Sequence, residues 1–371
     1  MALLTIAFLT VLASVRSGKG FLSLAALARV LPTAGHPHSR ENRLNRYLRH
    51  PGLDYRTMTS TLAPLLLSER SGLCPLLLDQ TKSGNVQALV AAVPYAGRAL
   101  PIGLYTFEYP LTESALNSQN QLEHLFLLDI EAALPETVTG VWIADRGYAR
   151  SKLLHQSEVE NRLYIIRGRG NTIIHYNNRR MKLKALPAIA HQAVRYENVL
   201  YHATQNVPLD VIVYAHPAYQ EPWYLLVPLK SRSLLTATHV VDLYRERMQI
   251  EQSFRDFKTH FGWRGLKLQV AVSERMGRLL LTFCLAYILC VLLGDSPLGE
   301  QARAAFEIPR HHTRHGTTRT LSAFSLSMLM LSHAHWIQRS LCYLYHLIQQ
   351  ATQNQAWLSP SAYSIPFQRA P

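Results

Sequence analysis

The stretch from Leu73 to Gly168 constrains the fold most, because its hydrophobic pattern alternates between strand and helix. CPLLLDQTK carries an apolar run that ends at Asp79. NVQALVAAVPY follows, and RALPIGLYTFEYP comes third. Ser83-Gly84-Asn85 and Ala96-Gly97 are turn sequences, so the three strands form an antiparallel meander. A helix over about Glu113 to Leu134 comes next. Then VTGVWIADRGY reads as an apolar strand ending at Asp145, with Gly147 allowing a sharp turn. A short helix near Ala149 to Gln156 leads to a further strand, RLYIIRG. The order β-β-β-α-β-α-β implies an α/β sheet with helices on its faces.

Asp79 and Asp145 stand at the ends of their strands, where such sheets place ligands. If the two strands are neighbours, so are the carboxylates. Carboxylates held together repel, and a cation is their natural partner. Oxygen donors suit Mg²⁺ or Mn²⁺ rather than zinc. Taken singly, either aspartate is an ordinary turn or cap residue.

A third acid lies in YRERMQIEQSFRDFK, Tyr244 to Lys258. On one helix at about 100° per residue, Tyr244, Arg247, Glu251 and Lys258 share a narrow stripe. Leu243, Ile250, Phe254 and Phe257 form an apolar stripe beside it. Arg245, Gln249, Gln252, Ser253 and Asp256 fall on the far side, free to face water. Thr238 is a candidate N-cap. For a helix in isolation, i, i+4 salt bridging is the plainer account.

The flanks are helical. Ala2 to Ser14 is apolar but lacks a basic n-region and a clear cleavage site, so it reads as a buried helix. Leu22 to Val30 forms a short helix that stops before Pro32. Ser39 can cap a second helix, RENRLNRYLRH. Its Arg40, Arg43, Arg46 and Arg49 recur every three residues, with Leu44 and Leu48 between them. That cationic side suits DNA phosphates and base edges, or is an ordinary solvated face. Residues from about Arg169 to Arg232 are a mostly β insertion, with Arg179, Arg180, Lys182 and Lys184 in one run and Trp223 opening a strand. Arg167-Gly168-Arg169-Gly170 is no dinucleotide loop, because no helix pattern follows it. Leu279 to Leu293 is too short for a typical membrane span and reads as buried. His311, His312 and His315 lie in a basic loop without acid or Cys companions. A final helix covers about Phe324 to Gln350.

The formal net charge is +14, from 38 Lys+Arg against 24 Asp+Glu. That excess favours a polyanion, nucleic acid before a membrane surface. The four cysteines form no CxxC pair, which argues against a zinc module or a disulfide framework.

Asp79 in DQT, Asp145 in DRGY, and Glu251 in Tyr244-x2-Arg247-x3-Glu251-x6-Lys258 occur in that order. Together they resemble the DDE transposases of bacterial insertion sequences, in the subgroup with a Y-R-E-K signature. The resemblance implies an RNase H-like mixed sheet flanked by helices and interrupted by a β insertion. It implies that Asp79, Asp145 and Glu251 are catalytic and hold two Mg²⁺ or Mn²⁺ ions. It casts Arg247 and Lys258 as phosphate clamps, Tyr244 as a phosphate or packing contact, and Trp223 as a support for an extruded base. Arg43 and Arg46 are the expected end-binding residues. The partners implied are double-stranded DNA, both element ends and target, and a second copy of the chain. A cytoplasmic, nucleoid-associated location without a membrane fits.

The expected division is a helical DNA-binding part over residues 1–69 and a first core part over 70–168. A β insertion over 169–235, a second core part over 236–295 and a helical end over 296–371 complete it. A nuclease that cuts without joining, and a DNA-binding relative that has lost catalysis, remain the alternatives.

Overall fold

A computed structural model describes residues 23–31, 33–110, 118–259, 272–307, 321–353 and 355–358. The expected helix at Ala2 to Ser14, the start of the helix from Glu113, and His311, His312 and His315 lie outside the described residues.

The meander forms as expected from β1 (Gly72–Ser83), β2 (Val86–Tyr95) and β3 (Arg98–Glu108), all antiparallel. Ala96 at φ 48° and Gly97 at φ 72° make the tight β2–β3 turn, a left-handed pair that suits the twist of a hairpin. After α5 (Gln119–Ala133), β4 (Val138–Ala144) returns to pair parallel with β1. After α6 (Ser151–Val159), β5 (Leu163–Arg167) pairs parallel with β4. These five strands lie in the order β3-β2-β1-β4-β5. This is the RNase H-like mixed sheet, flanked by helices.

The β-rich segment continues the same sheet. It supplies β6 (Ile173–Tyr176), β7 (Arg179–Lys182), β8 (Ala193–Tyr201), β9 (Val207–Tyr214) and β10 (Trp223–Val227). β10 pairs antiparallel with β5, so the ten strands run on as β5-β10-β9-β8-β6-β7. The edge strand β7 is the basic run Arg179 to Lys182, mostly exposed. Charge on an edge discourages pairing with other chains. Asp210, fully buried on β9, ties this extension together by ion pairs to Arg195 at 2.9 Å and Arg232 at 2.6 Å.

Before the sheet come α1 (Leu24–Val30), α2 (Pro37–Arg49), α3 (Tyr55–Ser60) and α4 (Leu62–Leu67). His36, not Ser39, caps α2, because Pro37 fits the first helical position. Leu44 and Leu48 are buried as expected.

After the sheet, the Tyr244–Lys258 stretch is not one helix. α7 (Ala237–Glu246) ends at Arg247, and α8 (Met248–Thr259) begins just beyond it. Arg247 and Ile250 each donate their amide three residues back, to Tyr244 and Arg247, so the chain tightens there. Thr236, not Thr238, caps α7 by accepting from the His239 amide. α9 (Ser273–Gly294) is long and apolar enough to cross a membrane, but 94% of its most apolar window is buried inside this fold. α10 (Pro297–Phe306) follows, capped by Ser296. The expected final helix is two, α11 (Ala323–Ser332) and α12 (Ala334–Thr352), broken at His333.

The far side of α8 also departs from expectation. Ser253 and Asp256 are buried, not solvated. Arg98 on β3 donates to Asp256 at 2.6 Å, and the Tyr287 hydroxyl on α9 donates to it at 3.1 Å. The Ala99 amide donates to the Ser253 hydroxyl at 2.8 Å. A helix-period reading assigns one buried face, whereas α8 is covered on two sides. Removing one partner of a buried ion pair strands the other charge. Arg98→Ala is therefore expected to lower stability by about 3–5 kcal/mol, read as a fall in the urea midpoint of unfolding.

Candidate active site

Strand register brings the two aspartates together. β1 and β4 pair up to Leu78↔Ala144, and the next residues on each are Asp79 and Asp145. Asp79 does not end its strand, as the sequence suggested. β1 runs on to Ser83, pairing with β2 alone, while β4 stops. The carboxylates thus meet where the parallel pair parts. Asp145 opens the turn into α6, and its Oδ1 accepts from the Gly147 amide at 2.7 Å. A Cβ on Gly147 would sit 2.9 Å from that oxygen, so glycine is what lets the amide approach. The Gln80 amide donates to Asp79 Oδ1 at 2.7 Å.

Glu251 comes from the first turn of α8. Arg247, in the break before it, reaches both sides of the site. Its Nη2 is bonded to Glu251 Oε1, and its Nη1 lies 3.8 Å from Asp79 Oδ2. Arg247 thus links the helix acid to the sheet acid. Burial pushes the Asp79 carboxyl up to about 6. The charges of Asp145 and Glu251 add to that rise, while the Gln80 amide and Arg247 oppose it. Asp79, with Asp145 and Glu251 near it and one arginine between it and Glu251, makes a charge pattern suited to a further cation.

Among the described residues, no three His, Cys, Asp or Glu side chains converge as a ready metal-ligand set. Asp79 and Asp145 are neighbours, but Glu251 is engaged by Arg247. The donors are all carboxylate oxygens, which fit Mg²⁺ or Mn²⁺ in kind.

Tyr244 is buried against the site. Its ring lies edge-on to Trp223 at 5.0 Å between centroids, and the Arg247 guanidinium carbon is 6.0 Å from its ring centre. Trp223 is only 7% exposed and stacks on Tyr219 at 4.2 Å. Its ring faces are therefore already used by protein. Lys258 lies two turns beyond Glu251, its Nζ 5.9 Å from the Phe254 ring centre. Arg43 and Arg46 are exposed on α2, away from these residues in the sequence and bound to none of them. Asn42, Asn45, Arg46 and Arg49 line a cavity of about 420 Å³ with Ser39. Arg40 does not belong to that face. Its guanidinium donates to the carbonyls of Gly35, Arg29 and Leu31, closing the end of α1.

Sequence reasoning missed two groups around the acids. Glu221 binds Arg167 at 2.8 Å and Arg146 at 3.4 Å, setting two arginines beside Asp145 and Tyr244. Arg146 belongs to DRGY and Arg167 to the RGRG run, so both were in view without a role. Behind the aspartates, buried Glu123 on α5 pairs with Arg150 and accepts from Gln119 at 2.8 Å. Gln119 also donates to Gln80 at 3.1 Å. The Tyr148 hydroxyl is buried beside these acids, and burial with the charges of Glu123, Asp79 and Asp145 raises its pKa well above the usual phenol range. Glu123 sits mid-helix with no motif around it, so only the fold reveals it.

The raised Asp79 carboxyl carries a stability signature. Between the ordinary value of 3.8 and about 6, the folded chain holds a proton there that the unfolded chain has released. Stability from this group is full below that window and is lost as pH rises through it. Asp79→Asn is expected to stabilise the metal-free protein by up to about 3 kcal/mol at pH 7.5 and far less at pH 4. Paired unfolding curves of the two proteins at both pH values check this.

Residues 109–289 match the family model described as a transposase DDE domain. The matched segment holds Asp145 and Glu251 and begins after Asp79. No curated protein matches the chain. A similar solved structure is the cryo-EM structure of the piggyBac transposase synaptic complex with hairpin DNA. It is 10% identical with a TM-score of 0.45, and the match covers 99% of this chain and 82% of that one. So slight a likeness adds nothing about activity. The family match, which spans the second aspartate and the glutamate, supports a DDE transposase.

Proposed function

We propose that this chain is a transposase of the Y-R-E-K subgroup, from a bacterial insertion sequence. It binds the ends of its element, cleaves DNA there, and joins the 3′ ends to target DNA. The observation that carries the reading is the register Leu78↔Ala144, which sets Asp79 beside Asp145, with Arg247 reaching from Asp79 to Glu251. Asp79, Asp145 and Glu251 are the catalytic acids and would hold two Mg²⁺ or Mn²⁺ ions. Such a pair supplies activation of the attacking oxygen and stabilisation of the leaving oxygen in an in-line displacement.

The chain's own residues orient the DNA. Arg247 and Lys258 contact phosphates near the cut, and Tyr244 packs under Arg247. Trp223 supports an extruded base only if Tyr219 gives up its stacking contact. Arg43 and Arg46 on α2 bind the element ends through phosphates. The segment over 1–69 holds the ends. The core over 70–168 and 236–295 carries chemistry, and 169–235 extends the sheet beside the site. Two copies pair two ends, in the cytoplasm with the nucleoid.

Glu251→Gln keeps the side chain's shape but removes a charge. It is expected to abolish cleavage and joining while leaving retention of end DNA in a gel shift unchanged. Cleavage by this variant at the native rate defeats the assignment. A strand-joining assay on the same preparation separates a transposase from a nuclease.

Binding is expected to fall steeply with salt, at roughly 0.9 counterions released per phosphate neutralised. Arg46→Ala and Arg43→Ala should each lower the slope of log affinity against log salt by about 1. Slopes equal to wild type would place the end-binding surface elsewhere.

A further inference from the structure

Arg247 stands where a cation would stand. Its Nη1 is 3.8 Å from Asp79, its Nη2 is bonded to Glu251, and its side chain is only 12% exposed. The hold is incomplete. Nε is buried with no hydrogen-bond partner, and the Asp79 contact exceeds hydrogen-bond length. A planar guanidinium finds a better partner in a phosphate, which accepts two parallel bonds. Arg247 also occupies the one-residue break between α7 and α8, so its side chain can swing without unwinding a helix.

We propose that Arg247 is a latch on the metal site. In the DNA-free chain its guanidinium competes with divalent cations for Asp79 and Glu251. A DNA phosphate draws it off and frees both acids. The proposal rests on the reading of these acids as metal ligands. Metal and DNA then bind cooperatively, each raising the affinity for the other by the same factor. The consequence is control. The site is weakly metallated until DNA lies across it, which limits cutting by chains not engaged with DNA.

The test is Mn²⁺ titration calorimetry on the full chain, with and without a short duplex of arbitrary sequence at low salt. Heat from duplex alone is subtracted. Without DNA, Arg247→Gln is expected to bind Mn²⁺ about tenfold more tightly than wild type, within the usual 5–150-fold range of coupled sites. The duplex should tighten Mn²⁺ binding to wild type by a similar factor and leave Arg247→Gln unchanged. Arg247→Lys keeps the charge but cannot fork across both acids, so it should fall between. It carries the test if the Gln variant does not fold. If the Arg247 variants bind Mn²⁺ no more tightly than wild type, or DNA tightens all proteins alike, the latch is overturned. Asp79→Asn and Glu251→Gln should weaken Mn²⁺ binding. If neither does, the ligand reading itself fails. If both do while the Arg247 variants do not tighten, only the latch fails.

Discussion

Two carboxylates at the parting of a parallel strand pair must be balanced by positive charge, and much of this structure is arranged around that need. β1 and β4 fix the separation of Asp79 and Asp145 through their shared register. Backbone amides of Gln80 and Gly147 each take one oxygen. Those bonds orient the acids but cannot neutralise them. Arg247 partly does, at the cost of engaging Glu251. The site is therefore left with unbalanced negative charge, a pattern suited to a further cation.

Glu251 is placed by interactions that lie behind it. α8 is short, so its position depends on what holds its far face. Asp256 and Ser253 are bound by Arg98, the Ala99 backbone and Tyr287. Tyr287 belongs to α9, the same helix whose Arg278 donates to the Leu48 and Leu53 carbonyls at the end of α2. One buried helix thus braces both α8, which carries Glu251, and the basic helix α2. A brace of this kind holds the two helices at a fixed separation, since packed cores resist small displacements.

The β-rich segment has a similar logic. By continuing the sheet from β5 through β10, it brings Trp223 against Tyr244 at the start of the signature stretch, with Tyr219 and Tyr214 packed on Trp223 in turn. Arg245 reaches back to the Tyr214 hydroxyl at 2.9 Å. The aromatic cluster anchors α7, and through it the Arg247 junction. Trp223 is first of all part of that anchor. Any contact with a base requires this packing to open.

The sequence by itself determined the alternation that makes the sheet, the meander with its turn residues, and the order DQT, DRGY and Tyr244 to Lys258. These follow from local rules: period-two apolar runs, turn residues that accept positive φ, and charges at helical spacing. Tertiary structure decided the rest. Local pattern cannot tell a strand that stops at Asp79 from one that continues with a different neighbour, because both leave the same apolar run. It could not see the break at Arg247, where residues with helical propensity yield to the packing of two separate helices. It assigned Asp256 and Ser253 to water, since charge and hydroxyl are ordinarily exposed, and only the Arg98 and Tyr287 partners make their burial affordable. Arg40 and Arg46 look alike in the sequence, yet one closes a neighbouring helix and the other stays free on the surface. Residue identity set what each side chain can do, and the neighbours supplied by the fold set what it does.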